Sequence, residues 1–181
     1  MPGKTYKRQQ RFLTGKRPSL KKNTRKHVVK VDLSGAGTGA TGELKKPIVP
    51  TFLHMLNTIK LYHWKTTSYA THKATDDLYT KMNELIDHFV EVMLGKEELG
   101  GRAKILQGKG GKGGKGGNYV LNLSLYSSNN EFKKEVERYK RFLIDLSKDA
   151  KFNSAMNVDL LAIRDELLAE LNQFLYLLSL H

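Results

Sequence analysis

Cysteine is absent from the 181 residues, which excludes disulfide bonds, thiolate metal sites and cysteine nucleophiles. Long apolar runs are missing as well. The most apolar stretch, residues 158–180, carries five charged side chains, so it predicts a packed helix rather than a membrane span. The first 25 residues contain no apolar signal-peptide core, and we therefore expect no secretory signal.

Acidic residues are scarce at the start of the chain. Residues 1–46 hold 13 Lys and Arg against Asp32 and Glu43, a net charge of +11. Residues 47–181 hold 18 Lys and Arg against 16 Asp and Glu, a net charge of only +2. This asymmetry predicts a basic arm that contacts a polyanion or an acidic surface. The alternative is a tail that only improves solubility. The candidate binding residues in the arm are Lys4, Lys7, Arg8, Arg11, Lys16, Arg17, Lys21, Lys22, Arg25 and Lys26.

Within this arm, residues 1–27 have the composition of a segment without structure of its own. Residues 28–33 alternate apolar and polar side chains, so they predict one short strand once a partner is available. Residues 34–42 form a Gly/Ala/Thr/Ser linker. We therefore divide the chain into an extended basic arm, residues 1–46, and a helical domain, residues 47–181.

The helical domain begins with two predicted helices. The first runs from about residue 51 to 66, after Pro47 and Pro50, and places Phe52, Leu56, Ile59 and His63 on one face. The second runs from about residue 71 to 94, with Thr71, Thr75 or a nearby Asp as its cap and Gly95 as its stop. Its predicted core positions are Leu78, Met82, Leu85, Phe89 and Val92.

Two further helices complete the domain. The third follows residues 128–130, and its predicted core positions are Phe132, Val136, Tyr139, Leu143 and Leu146. The fourth follows residues 153–154, and its predicted core positions are Val158, Leu161, Leu168, Leu171, Leu175 and Leu178. Four amphipathic helices predict an all-α four-helix bundle.

The connection between the second and third helices, residues 95–128, is long and contains three KGG repeats. A crossover of this length is expected if the two helices run parallel. The repeats either bring Lys109, Lys112 and Lys115 close to a polyanion or serve as a plain flexible linker. Phosphate-loop chemistry is not indicated, because no P-loop pattern follows a strand here.

A set of metal-ligating side chains follows the end of the first helix. His63 is followed by His72, Asp76, Asp87 and Glu91, and the last four lie within about 100° of one another on the second helix. Carboxylates supplemented by imidazoles suit Fe(II) and Mn(II). The alternative is that this stripe of carboxylates arose by chance, as such stripes often do on helices. The neighbouring Trp64 is predicted to be a core or interface anchor.

These five residues resemble the Dps mini-ferritins, a ferritin-like family. The resemblance covers roughly residues 50–94 and implies a ferroxidase centre shared across a dimer interface. His72, Asp76, Asp87 and Glu91 match the family's spacing. His63 departs from it, since it lies nine residues before His72 where the family has twelve.

A second resemblance concerns residues 62–73, 87–91 and 172–178, which are similar to ferritin-like proteins of large DNA viruses of algae and protists. It implies a structural virion or minor capsid protein whose arm binds neighbouring virion proteins, with nucleic acid as another partner of the arm. The expected location is then the virion, or otherwise the cytoplasm. We expect a homo-oligomer or part of a larger assembly, no catalytic residues and no cofactor. The alternative function is a Dps-like ferroxidase that binds iron and protects DNA.

Overall fold

A computed structural model describes residues 28–30, 47–107 and 118–180. The basic residues of the arm up to Lys26 and the three lysines of the KGG repeats lie outside these ranges. The elements in chain order are β1 (Val28–Lys30), α1 (Ile48–Lys65), α2 (Tyr69–Leu94), α3 (Gly101–Gln107), β2 (Asn118–Val120), α4 (Asn129–Leu146) and α5 (Val158–Leu177).

The four long helices form a bundle, which confirms the predicted all-α architecture. Aromatic pairs show that α1 and α4 run antiparallel. Tyr62, near the end of α1, stacks on Phe132 near the start of α4, and Phe52 meets Phe142 at the opposite ends. Since α1 and α2 form an antiparallel hairpin, α2 and α4 run parallel. The long connection between them is therefore required by the helix directions, as predicted.

The α2–α5 pair is antiparallel and lies on the other side of the bundle from the α1–α4 pair. Lys81 pairs with Glu170, and Lys96, which follows α2, pairs with Asp159 at the start of α5. Each helix thus packs against two neighbours, with α1 beside α2, α2 beside α5, α5 beside α4 and α4 beside α1.

Helix α1 begins three residues earlier than predicted. Pro47 is the N-cap, and Pro50 lies in the first turn, where a missing N–H breaks no helical hydrogen bond. The Thr51 N–H and hydroxyl both donate to the Pro47 carbonyl. Pro50 therefore lies inside the helix, and Pro47 flanks its start.

The predicted cap of α2 was wrong. The Ser68 hydroxyl accepts a hydrogen bond from the Thr71 N–H, so Ser68 is the cap. Thr71 and Thr75 are instead buried within the helix. The Thr75 hydroxyl donates to backbone carbonyls of the preceding turn, which allows a polar side chain to stay in the bundle interior.

The bundle core confirms the predictions for α1 and α4 in full. All four predicted α1 positions and all five predicted α4 positions are buried. In α2, Leu78, Met82 and Phe89 are buried as predicted, whereas Leu85 and Val92 are only partly buried. Ile86 and Met93 take the remaining core places in this helix.

The predicted core face of α5 was right at Leu171 and Leu178 and wrong at Val158. Val158 is 64% exposed, and Leu161, Leu168 and Leu175 lie at the partly buried flanks of the helix. The buried residues of α5 and its end are Leu160, Ile163, Leu167, Leu171, Phe174 and Leu178. Trp64, expected as an anchor, is 68% exposed and lies outside the bundle core.

The crossover contains two short helices that the sequence did not predict. A short 3-10 helix, Glu97–Leu99, ends at Gly100, whose φ of 106° is in the left-handed region that glycine favours. Helix α3 follows directly. Strand β2 then pairs in parallel with β1, Val29 standing opposite Tyr119. The strand predicted at residues 28–33 thus exists over Val28–Lys30, and its partner belongs to the same chain. Among the described residues, no helix is long and apolar enough to cross a membrane.

Candidate functional site

The hairpin between α1 and α2 brings two of the predicted metal ligands together. The His63 Nδ1–H donates to the His72 carbonyl over 3.1 Å, and the His72 Nδ1–H donates to the His63 carbonyl over 3.1 Å. The two rings stack with their centroids 3.9 Å apart. Because a carbonyl only accepts, both Nδ1 atoms carry protons in these bonds. In the neutral rings the lone pair of each histidine is therefore on Nε2.

Asp76 joins this pair from one turn further along α2. Its Oδ1 lies 3.9 Å from His63 Nε2 and 3.8 Å from Lys60 Nζ. The Lys60 ammonium also stands 4.5 Å from the centroid of the Tyr79 ring. The Asp76 carboxylate thus already faces a cation that belongs to the protein. His63 is buried, whereas His72 is exposed.

Asp87 and Glu91 lie apart from the histidines within one chain. Eleven residues of helix separate Asp76 from Asp87, which corresponds to about 16 Å along the axis. Both carboxylates are exposed. Among the described residues, no three His, Asp or Glu side chains converge closely enough to hold a metal ion. The five predicted ligands therefore form two separate groups, and completion of a site by a second copy stays a prediction.

A buried polar network on the other side of α1 was not predicted. The His54 Nε2–H donates to the Asn122 carbonyl over 2.9 Å, so in the neutral ring Nδ1 accepts from the Tyr139 hydroxyl, 3.0 Å away. Glu135, 1% exposed, forms an ion pair with Arg138 and lies beside Tyr126. This network holds the extended segment after β2 against α1 and α4.

The tyrosines of the network are harder to ionise than usual. Burial, followed by the negative charge of Glu135, raises the pKa of Tyr139 well above its ordinary value. The same two causes raise the pKa of Tyr126. Both hydroxyls therefore stay protonated at neutral pH and can donate hydrogen bonds. A sequence signal for this network existed, since Glu135 falls among the core positions Phe132, Val136 and Tyr139 of α4.

A groove of about 320 Å³ runs between α2 and α5. Leu78 and Phe174 form its floor, and Leu177 lines one end. Its rim is polar: the Lys81 ammonium donates to both Glu170 carboxylate oxygens and to the Gln173 side-chain oxygen.

Comparison with known proteins gives one match. Residues 63–178, well over half of the chain, match the model of a family described as a family of unknown function (DUF5856). The chain belongs to the DUF5856 family. No curated protein and no solved structure matches it.

The DUF5856 match begins at His63 and ends at Leu178. It therefore includes all five predicted metal ligands, the α2–α5 groove and the buried Glu135. The basic arm and most of α1 lie before it. The part of this chain shared with the DUF5856 family is thus the bundle, whereas the arm lies outside the matched region.

Proposed function

We propose that this chain is a structural, non-enzymatic component of a particle, most specifically a minor capsid or other virion protein of a large DNA virus. The observation that carries the proposal is the charge division of the chain, +11 over residues 1–46 against +2 over the remaining 135 residues. The bundle is the folded body, and the arm binds neighbouring subunits. The resemblance to viral ferritin-like proteins supports the choice of a virion.

The position of β1 supports a clamp that is anchored to its own bundle. Parallel pairing with β2 attaches the arm at residues 28–30, and the segment after β2 is itself fixed by the Asn122–His54 hydrogen bond. Residues 1–27, which hold ten Lys and Arg and no Asp or Glu, directly precede this attachment in the sequence. A tail that only improved solubility would not need this attachment.

Two deletions test the proposal. Removal of residues 1–27 leaves β1 in place, and removal of residues 1–46 also removes β1. We expect both variants to be lost from assembled particles. The intact chain should stay in the particles at high salt if the arm's apolar residues are buried against other proteins, because salt does not screen hydrophobic contacts. Retention of both variants at wild-type levels would refute the clamp.

A second candidate function is Dps-like iron oxidation with protection of DNA. The observation that favours it is the reciprocal bonding of His63 and His72, because each ring donates Nδ1–H to a carbonyl and keeps Nε2 for a metal. We nevertheless predict weak or no ferroxidase activity, since the shortened His63–His72 spacing departs from the family pattern. The measurement is oxygen consumption on addition of Fe(II). Rapid stoichiometric oxidation that is lost in Asp87→Ala would reverse the ranking of the two functions.

A further inference from the structure

The two sides of the bundle carry opposite charge. Helices α2 and α5 together hold nine Asp and Glu against three Lys and Arg, a net charge of −6. Helices α1 and α4 together hold four Glu and Asp against seven Lys and Arg, a net charge of +3. Since α2 packs directly against α5, the negative charge is concentrated on one side, which we call the α2–α5 face.

Four of the nine carboxylates of this face are free to bind a partner. Glu84, Asp87, Glu91 and Glu166 are exposed and form no ion pair with any residue in the described ranges. The three basic side chains of the face are already engaged: Lys73 pairs with Asp77, Lys81 with Glu170 and Arg164 with Asp165. A cationic segment that docks here therefore meets unpaired negative charge.

The groove between α2 and α5 lies within this face and adds an apolar component. Its floor of Leu78 and Phe174 is apolar and its rim is polar and charged. Because Lys81 pairs with Glu170 and the helices are antiparallel, Glu84 and Glu166 stand at nearly the same level, one on each helix. The face therefore fits a peptide with apolar side chains placed between basic ones.

The arm of this chain has that composition. Residues 1–27 contain ten Lys and Arg and no acidic residue, and Phe12 and Leu13 follow Arg11 and precede Lys16. The attachment point of the arm lies on the opposite side of its own bundle, because β2 leads into the segment that packs on α1 and α4. An arm can therefore reach the α2–α5 face of another copy without wrapping around its own helices.

We propose that the α2–α5 face binds the basic arm, residues 1–27, of a second copy of this chain. This rests on the proposed function, in which the arm is a subunit clamp, and names one of its partners. The contact is heterologous, since arm and face are different surfaces, and repeated use of it produces rings or open chains of subunits.

A matched pair of full-length variants tests the face. Glu84→Lys with Glu166→Lys reverses two charges of the face that lie one turn beyond the Lys81–Glu170 pair of the groove. Glu97→Lys with Glu98→Lys makes the same change in net charge on the exposed 3-10 helix, outside the face. In sedimentation velocity at low salt we expect the wild type and the control to self-associate and the face variant to associate at least about tenfold more weakly.

Mixing two defective proteins separates binding between copies from binding within one copy. An arm variant, with Arg8, Arg11, Lys16 and Arg17 all changed to Gln, keeps an intact face. The face variant keeps an intact arm. Each alone should remain a monomer, and their mixture should form a dimer through the one remaining arm–face pair. The absence of a dimer in the mixture would refute binding between copies.

Two further outcomes would also overturn the inference: a wild-type protein that stays monomeric, or a face variant that associates like the control. Neither outcome decides the proposed function, because particle retention is measured separately with the deletions. If the face variant is retained in particles and the two deletion variants are lost, the arm still acts as a clamp, but the α2–α5 face is not the surface that it binds.

Discussion

Glu135 is a carboxylate at a core position of α4, stabilised by Arg138 and by the hydroxyl of Tyr126. Glu135→Ala removes the acceptor of the partly buried Tyr126 hydroxyl and the ion-pair partner of Arg138, which should lower the free energy of unfolding by about 2 kcal/mol. The measurement is urea unfolding. Glu137→Ala removes a more exposed carboxylate that pairs with Lys140, and should change the free energy of unfolding by less than about 1 kcal/mol. Equal losses in the two variants would contradict a special role for Glu135.

The raised pKa values of Tyr126 and Tyr139 predict that the protein becomes less stable at alkaline pH. Their pKa values are raised in the folded state, so above about pH 10 the unfolded chain loses tyrosine protons that the folded chain still binds. The free energy of unfolding should therefore be fully retained below pH 10 and fall as the pH rises further. Tyr126→Phe should make this fall shallower in urea titrations at successive pH values. An unchanged slope would show that Tyr126 ionises normally.

The contacts of individual side chains were harder to predict from the sequence than the helices were. The spacing of His63, His72 and Asp76 placed them near one another, and the structure brings these three together at the hairpin. The spacing did not show that Lys60 would face Asp76, because that contact depends on how α1 lies against α2. His54 and Glu135 were missed because their partners, Asn122 and Tyr126, come from a segment whose alternating side chains do not specify which helices it packs against.

At the scale of the helix, two adjacent residues of α4, Leu143 and Ile144, allow a test of which face is buried. Leu143 is fully buried and Ile144 is 39% exposed. Leu143→Asp buries an unpaired carboxylate, which costs several kcal/mol and approaches the whole stability of a small domain. Ile144→Asp leaves its carboxylate near water and should melt close to the wild type. A soluble Leu143→Asp protein with wild-type helicity and melting temperature would show that Leu143 is not a core residue.

The contrast between α4 and α5 explains why the buried face of one helix could be predicted from the sequence and that of the other could not. In α4 the apolar residues are separated by charged ones, so one face alone can be buried, and all five predicted positions were right. In α5, leucines occupy several faces of the helix, so periodicity leaves the buried face undecided. Packing against both α2 and α4 selects the face centred on Leu160, Leu167 and Leu171.

At the scale of the whole molecule, the arm can be tested on nucleic acid. If residues 1–46 neutralise about six phosphates, log K for duplex DNA should fall by about five units per tenfold rise in salt. We expect the full chain to show this steep dependence in fluorescence anisotropy and the chain lacking residues 1–46 to show little binding. Binding of the shortened chain with the same slope would assign the DNA contact to the bundle instead.

The parallel course of α2 and α4 means that the bundle consists of two helical hairpins, α1 with α2 and α4 with α5, joined by one long crossover. The faces that the hairpins share, α2 on α5 and α1 on α4, are buried and non-covalent. The KGG repeats contain three lysines, the residue type after which trypsin cleaves. A chain nicked there should still elute as one species in gel filtration and separate only in denaturant, so that the protein behaves as a complementing pair of fragments.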